Sequence, residues 1–551
     1  MRKIDFNKDW MYGILDEQGS HVGRKAISLP HDAMLCEKRA VENPGAGNTG
    51  YFAGRDYWYR KKFFVPESWK DTKAFLELEG VYHNAEVWLN GRLAEQRPNG
   101  YTQLLMEVDP YFLYGEENVL EVIARNADQP NSRWYSGAGI YRPVWLYLGE
   151  KAFIYPDGIR VTTVSLEPAT VQFMVHASGK CNLQVTIWNA QKEQVGEPQI
   201  TDTDASGDAV LTIEIPNARR WSPEDPYLYY YQVKTTDDVS EGTFGIRMIS
   251  WDTRKGFCIN EKRVILKGAC IHHDNGLLGA CCYPDAEERK VRLLQQNGYN
   301  AIRSAHNPCS RALLEACDRL GMLIWQDMMN GGESYSPLSI YVFSNLGLRV
   351  KDDRYRYFSR SDEAGRTHYY EELGQMIDLL YNTVSLALWV PFNEGWGQFD
   401  ALKAAEFIRK RDDTRPIDHA SGWYDQGGGD IKSIHWYFRP YHHKQPPKEQ
   451  RPICLTEYGG YNCAVPGHCW GEGAEFGYKK IADPTEFNRA FQKLMEEQII
   501  PAKERGLAAA VYTQVSDVEG ERNGLLTYDR KVCKANEAIF RAVNAKLTGD
   551  A

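Results

Sequence analysis

The sequence predicts a multidomain protein: two N-terminal all-β sandwiches, a jelly roll and then an immunoglobulin-like domain, followed by a C-terminal α/β domain, a (β/α)₈ TIM barrel. Three observations predict it. The chain has 551 residues, more than one hydrophobic core fills. Up to about residue 250, apolar residues recur at period two between Pro-, Gly- and Asn-rich turns. From residue 251 onward, strand-like and helical stretches alternate eight times, which implies a parallel sheet and, at this length, a closed barrel. The expected domains are 1–150, 151–250 and 251–551.

In the first domain, 61–65, 74–79 (AFLELE), 85–89 (AEVWL) and 118–125 read as strands, and Asn90-Gly91 is the signal of a two-residue hairpin turn. No helical period exceeds about two turns, which suits a jelly roll. Segment 132–142 (SRWYSGAGIYR) is dense in Arg, Tyr, Trp and Gly. It reads as a loop, either a packed aromatic corner or an arm reaching another domain's pocket. In the second domain, 158–164, 171–176, 182–188, 209–215 and 227–233 alternate, as short strands of an immunoglobulin-like sandwich do. No chemistry is visible there, so its expected role is bracing.

The barrel strands are expected at 263–271, 300–304, 322–326, 385–390, 416–420, 431–436, 453–457 and 507–515. The helices between and after them are expected at 286–297, 311–320, 366–381, 401–411, 484–505 and 534–546. A long insertion at 328–365 and a loop at 437–450 interrupt the repeat, and both are expected to shape substrate access.

Composition narrows the partners. Charged residues make up 25% and apolar residues 43%, which is ordinary for a globular protein. A net charge of -9 argues against a nucleic-acid or anionic-membrane partner. The start lacks the apolar core of a secretory signal, and no apolar run is long enough to span a bilayer. The 12 cysteines form no CxxC pair, so they read as reduced core thiols of a cytoplasmic protein. Cys463, Cys469 and His468 bring together only three candidate zinc ligands, so no metal site is expected. Aromatics reach 12%, with 15 Trp and 33 Tyr, which suits either sandwich cores or surfaces that stack on sugar rings.

Two stretches carry chemistry. SLALWVPFNEGWG (385–397) is an apolar run that delivers Glu394 where the strand stops, and ICLTEYGG (453–460) does the same for Glu457. Strand ends on one face are where a TIM barrel places its reacting groups. Two carboxylates there are the minimum equipment for cleaving a glycosidic bond.

By these motifs and those that follow, the chain resembles glycoside hydrolase family 2, the family of β-galactosidases, β-glucuronidases and β-mannosidases. The resemblance rests on SRWYSGAGIYRPVWL (132–146), LKGACIHHD (266–274), IRSAHNP (302–308), Asn393-Glu394 and TEYGG (456–460), and covers nearly the whole chain. It implies a retaining exo-β-glycosidase, with a sugar-binding first domain, Glu394 as acid/base and Glu457 as nucleophile. It also implies that Asn393 holds the sugar 2-hydroxyl, that Arg303 and Tyr437 support the nucleophile, and that His272 and His306 line the pocket. Trp436, Asp327, Asp517 and Asn523 complete the candidate substrate-binding set. β-Glucuronidases carry a lysine, for the substrate carboxylate, where Asn523 falls here. β-Galactosides are therefore the expected substrates. The alternatives are a β-glucuronidase or β-galacturonidase using Arg522 or Arg530, and an inactive carbohydrate-binding protein. The resemblance further implies a short three-domain form without the two extra domains of the large β-galactosidases. No cofactor is required, an Mg²⁺ or Na⁺ ion near Asp327 is left open, and a homo-oligomer is allowed.

Overall fold

The computed structural model describes residues 1–16, 18–335, 350–437, 439–470 and 479–547. The chain divides into two compact units, Met1–Trp221 with Tyr227–Ile246 and Leu278–Tyr283, and Ser222–Pro226 with Arg247–Leu277 and Pro284–Ala551.

The first unit is all-β. Its N-terminal sandwich has a six-stranded antiparallel sheet, ordered His21–Ile27, Trp10–Leu15, Asp56–Val65, Glu116–Arg125, Ala85–Leu89 and Arg92–Arg97. A four-stranded sheet, Arg2–Asp5, Val144–Gly149, Lys73–Leu78 and Leu104–Glu107, supplies the other layer. Strand Ala85–Leu89 alternates buried and half-buried, so Ala85, Val87 and Leu89 join Trp10, Tyr57, Tyr59 and Leu146 in one core. Asn90 and Gly91 turn the hairpin with φ of +50° and +75°, the left-handed pair that a tight hairpin turn requires. The second sandwich packs strands Ile154–Leu166, Ala169–Ala177 and Asp208–Glu214 with a sheet that includes Asn182–Trp188, Tyr229–Lys234 and Val239–Phe244. Phe173, Val185, Tyr231 and Phe244 fill its core.

Segment 132–142 is a packed aromatic corner. Tyr135 is buried edge-on against Phe52, with ring centroids 6.2 Å apart. Its hydroxyl donates to Asp32, 2.6 Å away. The same buried carboxylate accepts from the amides of Met34, Ala138 and Ala280 at 2.8–3.1 Å. Burial pushes the Asp32 carboxyl upward, and the Tyr135 hydroxyl and these amides oppose that.

The second unit is the barrel domain. Among its described residues one sheet has seven parallel strands, β1 (Leu266–Ile271), β2 (Ala301–Ser304), β3 (Leu323–Asp327), β4 (Leu386–Val390), β5 (Lys432–Trp436), β6 (Ile453–Gly459) and β7 (Ala509–Thr513), in the order β4-β3-β2-β1-β7-β6-β5. β3, β4, β6 and β7 are buried at every residue, as expected for parallel strands covered on both faces. Helices α1 (Pro284–Gln296), α2 (Arg311–Leu320), α3 (Glu363–Leu380) and α4 (Ala401–Arg411) follow β1, β2, β3 and β4. Caps set their ends: Ser310 accepts from the amide of Leu313, and Gly321 closes α2 in the left-handed region.

One expected strand is corrected. Residues 416–420 do not form the fifth barrel strand but an extended segment with two isolated parallel bridges to the β4 side, Trp389–Ile417 and Asn393–Ser421. Pro416 has no amide proton to give a ladder, though its carbonyl still accepts from Trp389 at 3.1 Å. Beyond Ser421 the chain leaves through a loop with Gly422, Gly427 and Gly429 at positive φ, so no ladder to β5 forms. The expected helix 484–505 is also divided, into Pro484–Leu494, a π-turn at Met495–Ile499 and Ile500–Glu504. Much of the 328–365 insertion, at 336–349, lies outside the described residues, as does 438 in the following loop. None of the twelve cysteines is in a disulfide; eight are buried. Among the described residues no helix is long and apolar enough to cross a membrane.

Candidate active site

β4 runs out into Pro391 and Phe392, which stacks on Tyr369 of α3 with centroids 5.1 Å apart and planes 9° from parallel. Asn393 is bridged to Ser421, and the Glu394 amide donates to the Ser421 carbonyl at 2.8 Å. Glu394 itself takes a φ of +50°, a left-handed conformation that costs a non-glycine residue on the order of 1–3 kcal/mol. Gly395 and Gly397, also at positive φ, let the turn close. The side chain is thereby fixed at the strand end, with Oε1 2.7 Å from Nδ1 of His435 and Oε2 3.3 Å from the Trp396 indole nitrogen.

Glu457 lies within β6, at an irregularity in its pairing. Ile434 pairs with Leu455 but His435 pairs with Glu457, so Thr456 is the extra residue of a bulge. That bulge turns the Thr456 carbonyl toward Arg303, which donates to it at 3.2 Å. Arg303 also donates to Glu457 Oε1 at 3.0 Å, and the Tyr437 hydroxyl donates to Oε2. One oxygen of Glu394, one nitrogen of His435 and one oxygen of Glu457 lie within 4.8 Å of one another, and all three residues are buried.

Arg303 organises the floor. It is fully buried, grips Asp327 through Nε at 3.1 Å and Nη2 at 2.9 Å, and donates to Asn393 Oδ1 at 2.8 Å. Burial opposes its charge, but Asp327 and Glu457 outweigh that and hold the guanidinium protonated. Burial pushes Asp327 upward, and Arg303 opposes it. His306 places Nδ1 2.7 Å from Asp327 and Nε2 3.2 Å from the Asn393 amide nitrogen. Burial drives this imidazole well below its ordinary range, so it is neutral, giving one bond and taking the other. His272 stands edge-on to it, with centroids 6.1 Å apart.

Of the sequence candidates, Glu394, Glu457, Asn393, Arg303, His306, His272, Tyr437 and Asp327 are thus brought together by contacts. Trp436 is not. It faces the other way from His435 and Tyr437, is 38% exposed, and gives its indole proton to the Arg439 carbonyl. Asp517 and Asn523 bond to other groups than these. Asp517 pairs with buried Lys534 at 2.7 Å and accepts from the Gly524 amide, while Asn523 Oδ1 accepts from Gln514 at 2.8 Å. Burial raises Asp517 to about 6, against the pull of Lys534. Sequence reasoning missed His435, Ser421 and Thr456. Period two along SIHWY was a usable signal for His435, since it puts His435 on the face of Tyr437 and Trp436 on the opposite one.

Glu394, His435 and Glu457 are the only metal-like trio among the described residues. His435 already hydrogen-bonds Glu394, and a permanent cation, Arg303, contacts both His435 and Glu457. A zinc-like ion would need all three atoms about 2.0–2.2 Å from one centre, beside that guanidinium. The arrangement fits a proton-handling carboxylate pair better.

Comparison with known proteins follows the same lines. Residues 252–535 match the family described as glycosyl hydrolases family 2, TIM barrel domain. Residues 150–247 match glycosyl hydrolases family 2, and 38–142 match the glycosyl hydrolase 2 galactose-binding domain-like family. A β-galactosidase of Bacteroides ovatus is 34% identical over 350 residues, 59% of this chain and 41% of its own length. A β-glucuronidase of Bacteroides fragilis is 27% identical over 506 residues, 83% of this chain and 68% of its own. The chain therefore spans well under half of the first relative. The solved β-D-glucuronidase of Dictyoglomus thermophilum superimposes with a TM-score of 0.76 at 19% identity, covering 100% of this chain and 98% of its own, which shows a shared fold.

Proposed function

Because the chain belongs to glycoside hydrolase family 2, we propose that it is a retaining exo-β-glycosidase that removes terminal β-linked sugars, β-galactosides first among them. The observation that carries the reading is the close pair of buried carboxyl groups, with oxygens of Glu394 and Glu457 within 4.8 Å. Retaining enzymes hold their carboxyls about 5–5.5 Å apart, so that one can bond the anomeric carbon, whereas inverting enzymes leave about 6.5–9.5 Å for a water. Glu457 is the nucleophile in this reading, because Arg303 and Tyr437 hold hydrogen bonds to both its oxygens and so fix the carboxyl group. Glu394 is the acid and then the base. Asn393, locked between Arg303 and His306, is placed to hold the sugar 2-hydroxyl. No cofactor is required in this reading, since acid, base and nucleophile are all side chains, and an Mg²⁺ or Na⁺ ion near the site is left open.

Two observations support a neutral sugar over a uronic acid. Asn523 stands where a carboxylate-binding lysine would be expected. Three cations of the closing segment already have partners: Arg522 donates to the Trp470 carbonyl, Arg530 pairs with Asp274 at 2.7 Å, and Lys534 pairs with Asp517. The reading also takes the protein as cytoplasmic, with carbohydrate as its partner. The test is a panel of nitrophenyl β-glycosides with purified protein, together with a 2-fluoro sugar that traps the covalent intermediate. Release from the β-galactoside and labelling of Glu457 are expected. Hydrolysis of no member of the panel, or labelling elsewhere, would overturn the reading.

A further inference from the structure

The double displacement as written above has no work for His435. Yet its side chain is fully buried between the two glutamates, 2.7 Å from Glu394 and 3.7 Å from Glu457. Its second nitrogen, Nε2, lies 3.3 Å from Nη1 of Arg303 and 3.2 Å from the Ser421 hydroxyl. A guanidinium only donates, so the nitrogen facing it is the bare one and the single ring proton sits on Nδ1. Ser421 belongs to a hydroxyl cluster with Ser433 and Thr456 and can turn to donate to the same nitrogen.

We propose that His435 is a positioning residue for the acid/base carboxyl: as a neutral imidazole it donates Nδ1–H to Oε1 of Glu394 and so leaves Oε2 as the oxygen that handles the proton. This rests on Glu394 being the acid/base. In the first step Oε2–H passes its proton to the glycosidic oxygen as the C1–O bond breaks and a Glu457 oxygen bonds C1. In the second, a water gives its proton to Oε2 and its oxygen to C1, and the C1–Glu457 ester bond breaks. His435 keeps its own proton throughout, because taking a second one would set two donors face to face at Arg303.

The groups that face Glu394 give the sign of the effect. Glu457 on β6 is a like charge that holds the Glu394 proton on. His435 on β5, Trp396 in the same turn, and Arg303 on β2, acting through Asn393, favour its loss. His306 is neutral, and Asp327 on β3 is tied up by Arg303. Removing the His435 donor therefore leaves Glu394 holding its proton to higher pH.

The test compares kcat/KM against pH for the native chain, H435A, H435Q and E394Q on an alkyl β-galactoside, whose poor leaving group needs the acid proton. The alkaline limb, which reports loss of the acid proton, should move up by about one pH unit in H435A. It should return toward the native position in H435Q, whose amide can donate to the same oxygen. Nitrogen-15 NMR of the histidine-labelled chain supplies a readout that needs no turnover and no alanine variant. The His435 signal, identified by its loss in H435Q, should show a neutral ring protonated at Nδ1 near neutral pH. An imidazolium, the opposite tautomer, or an unmoved alkaline limb in a folded H435A overturns the proposal. If E394Q instead keeps full activity on substrates with poor leaving groups, it is the acid/base assignment that fails, and the tautomer result still stands.

Discussion

Nη1 of Arg303 lies 3.0 Å from Oε1 of Glu457, and both side chains are buried. Arg303 also carries Asp327 and Asn393, so one guanidinium fixes the proposed nucleophile, the residue behind it and the proposed 2-hydroxyl contact. Taking away one partner of a buried ion pair strands the other charge and costs about 3–5 kcal/mol. Arg303→Met should therefore lower the unfolding temperature of the barrel domain by several degrees as well as abolish turnover. Arg303→Lys should recover part of the stability but little of the activity, since an ammonium cannot span the same acceptors. Calorimetry with a parallel activity assay measures both; an unchanged melting temperature in Arg303→Met would show that the pair contributes nothing to folding.

The two glutamates should separate in their kinetics. Glu457→Gln removes the group proposed to bond the anomeric carbon and should cost several orders of magnitude on every substrate. Glu394→Ala should lose most on poor leaving groups and far less on activated phenols, which need little protonation. Azide should restore turnover in Glu394→Ala by attacking the intermediate. Equal losses on all leaving groups, without azide rescue, would speak against the division of roles.

Much of this site was legible because each strand end brings its chemistry with a local signature. Apolar runs break at Asn393-Glu394 and at Glu457, and IRSAHNP carries Arg303 and His306 on one turn. Trp436 was misplaced through neglect of strand alternation: it follows His435 and precedes Tyr437, so it must face away from both. The bulge at Thr456 was not legible, since it depends on how β5 and β6 are paired, and single-strand patterns hold no pairing information. Residues 416–420 looked like a strand by composition. Their failure to become one follows from Pro416 and the glycine-rich exit, whose effect shows only when a partner on the far side is sought. The partners of Asp517 and Asn523, Lys534 and Gln514, gave no local signal.

Acid should weaken the first unit through two histidines. Burial lowers His31 and His83 from 6.5 to about 4 in the folded protein. The unfolded chain takes up these protons as pH falls below about 6.5, and the folded one does not until about 4. The stability they contribute is therefore full above 6.5 and is lost as pH falls through this window. Each loss is at most about 1.4 kcal/mol per pH unit, less where water reaches the ring. The H31Q/H83Q variant should show a shallower fall in melting temperature between pH 6.5 and 4 than the native chain. Parallel curves would mean that other groups set the acid limit.

Substrate charge gives the sharpest test of specificity. A uronic acid would bring its carboxylate to a pocket whose closing segment offers Asn523, an Arg530 already paired with Asp274, and a Lys534 already paired with Asp517. Binding it would mean burying a charge without a partner or breaking one of those pairs, and either costs several kcal/mol. Galactosides should accordingly exceed glucuronides and galacturonides in kcat/KM by roughly 10² or more, since about 1.4 kcal/mol is a factor of ten. The measurement is kcat/KM for the matched nitrophenyl galactoside, glucuronide and galacturonide at one pH and ionic strength. A preference for either uronide would mean that an arginine of this segment leaves its partner to meet the sugar, with Arg530 the first to examine. Asp274→Asn, which loosens that arginine, should then raise uronide turnover further while leaving galactoside turnover nearly unchanged. If galactosides are preferred in the native chain, the same substitution should narrow the gap only where Arg530 can reach the sugar at all.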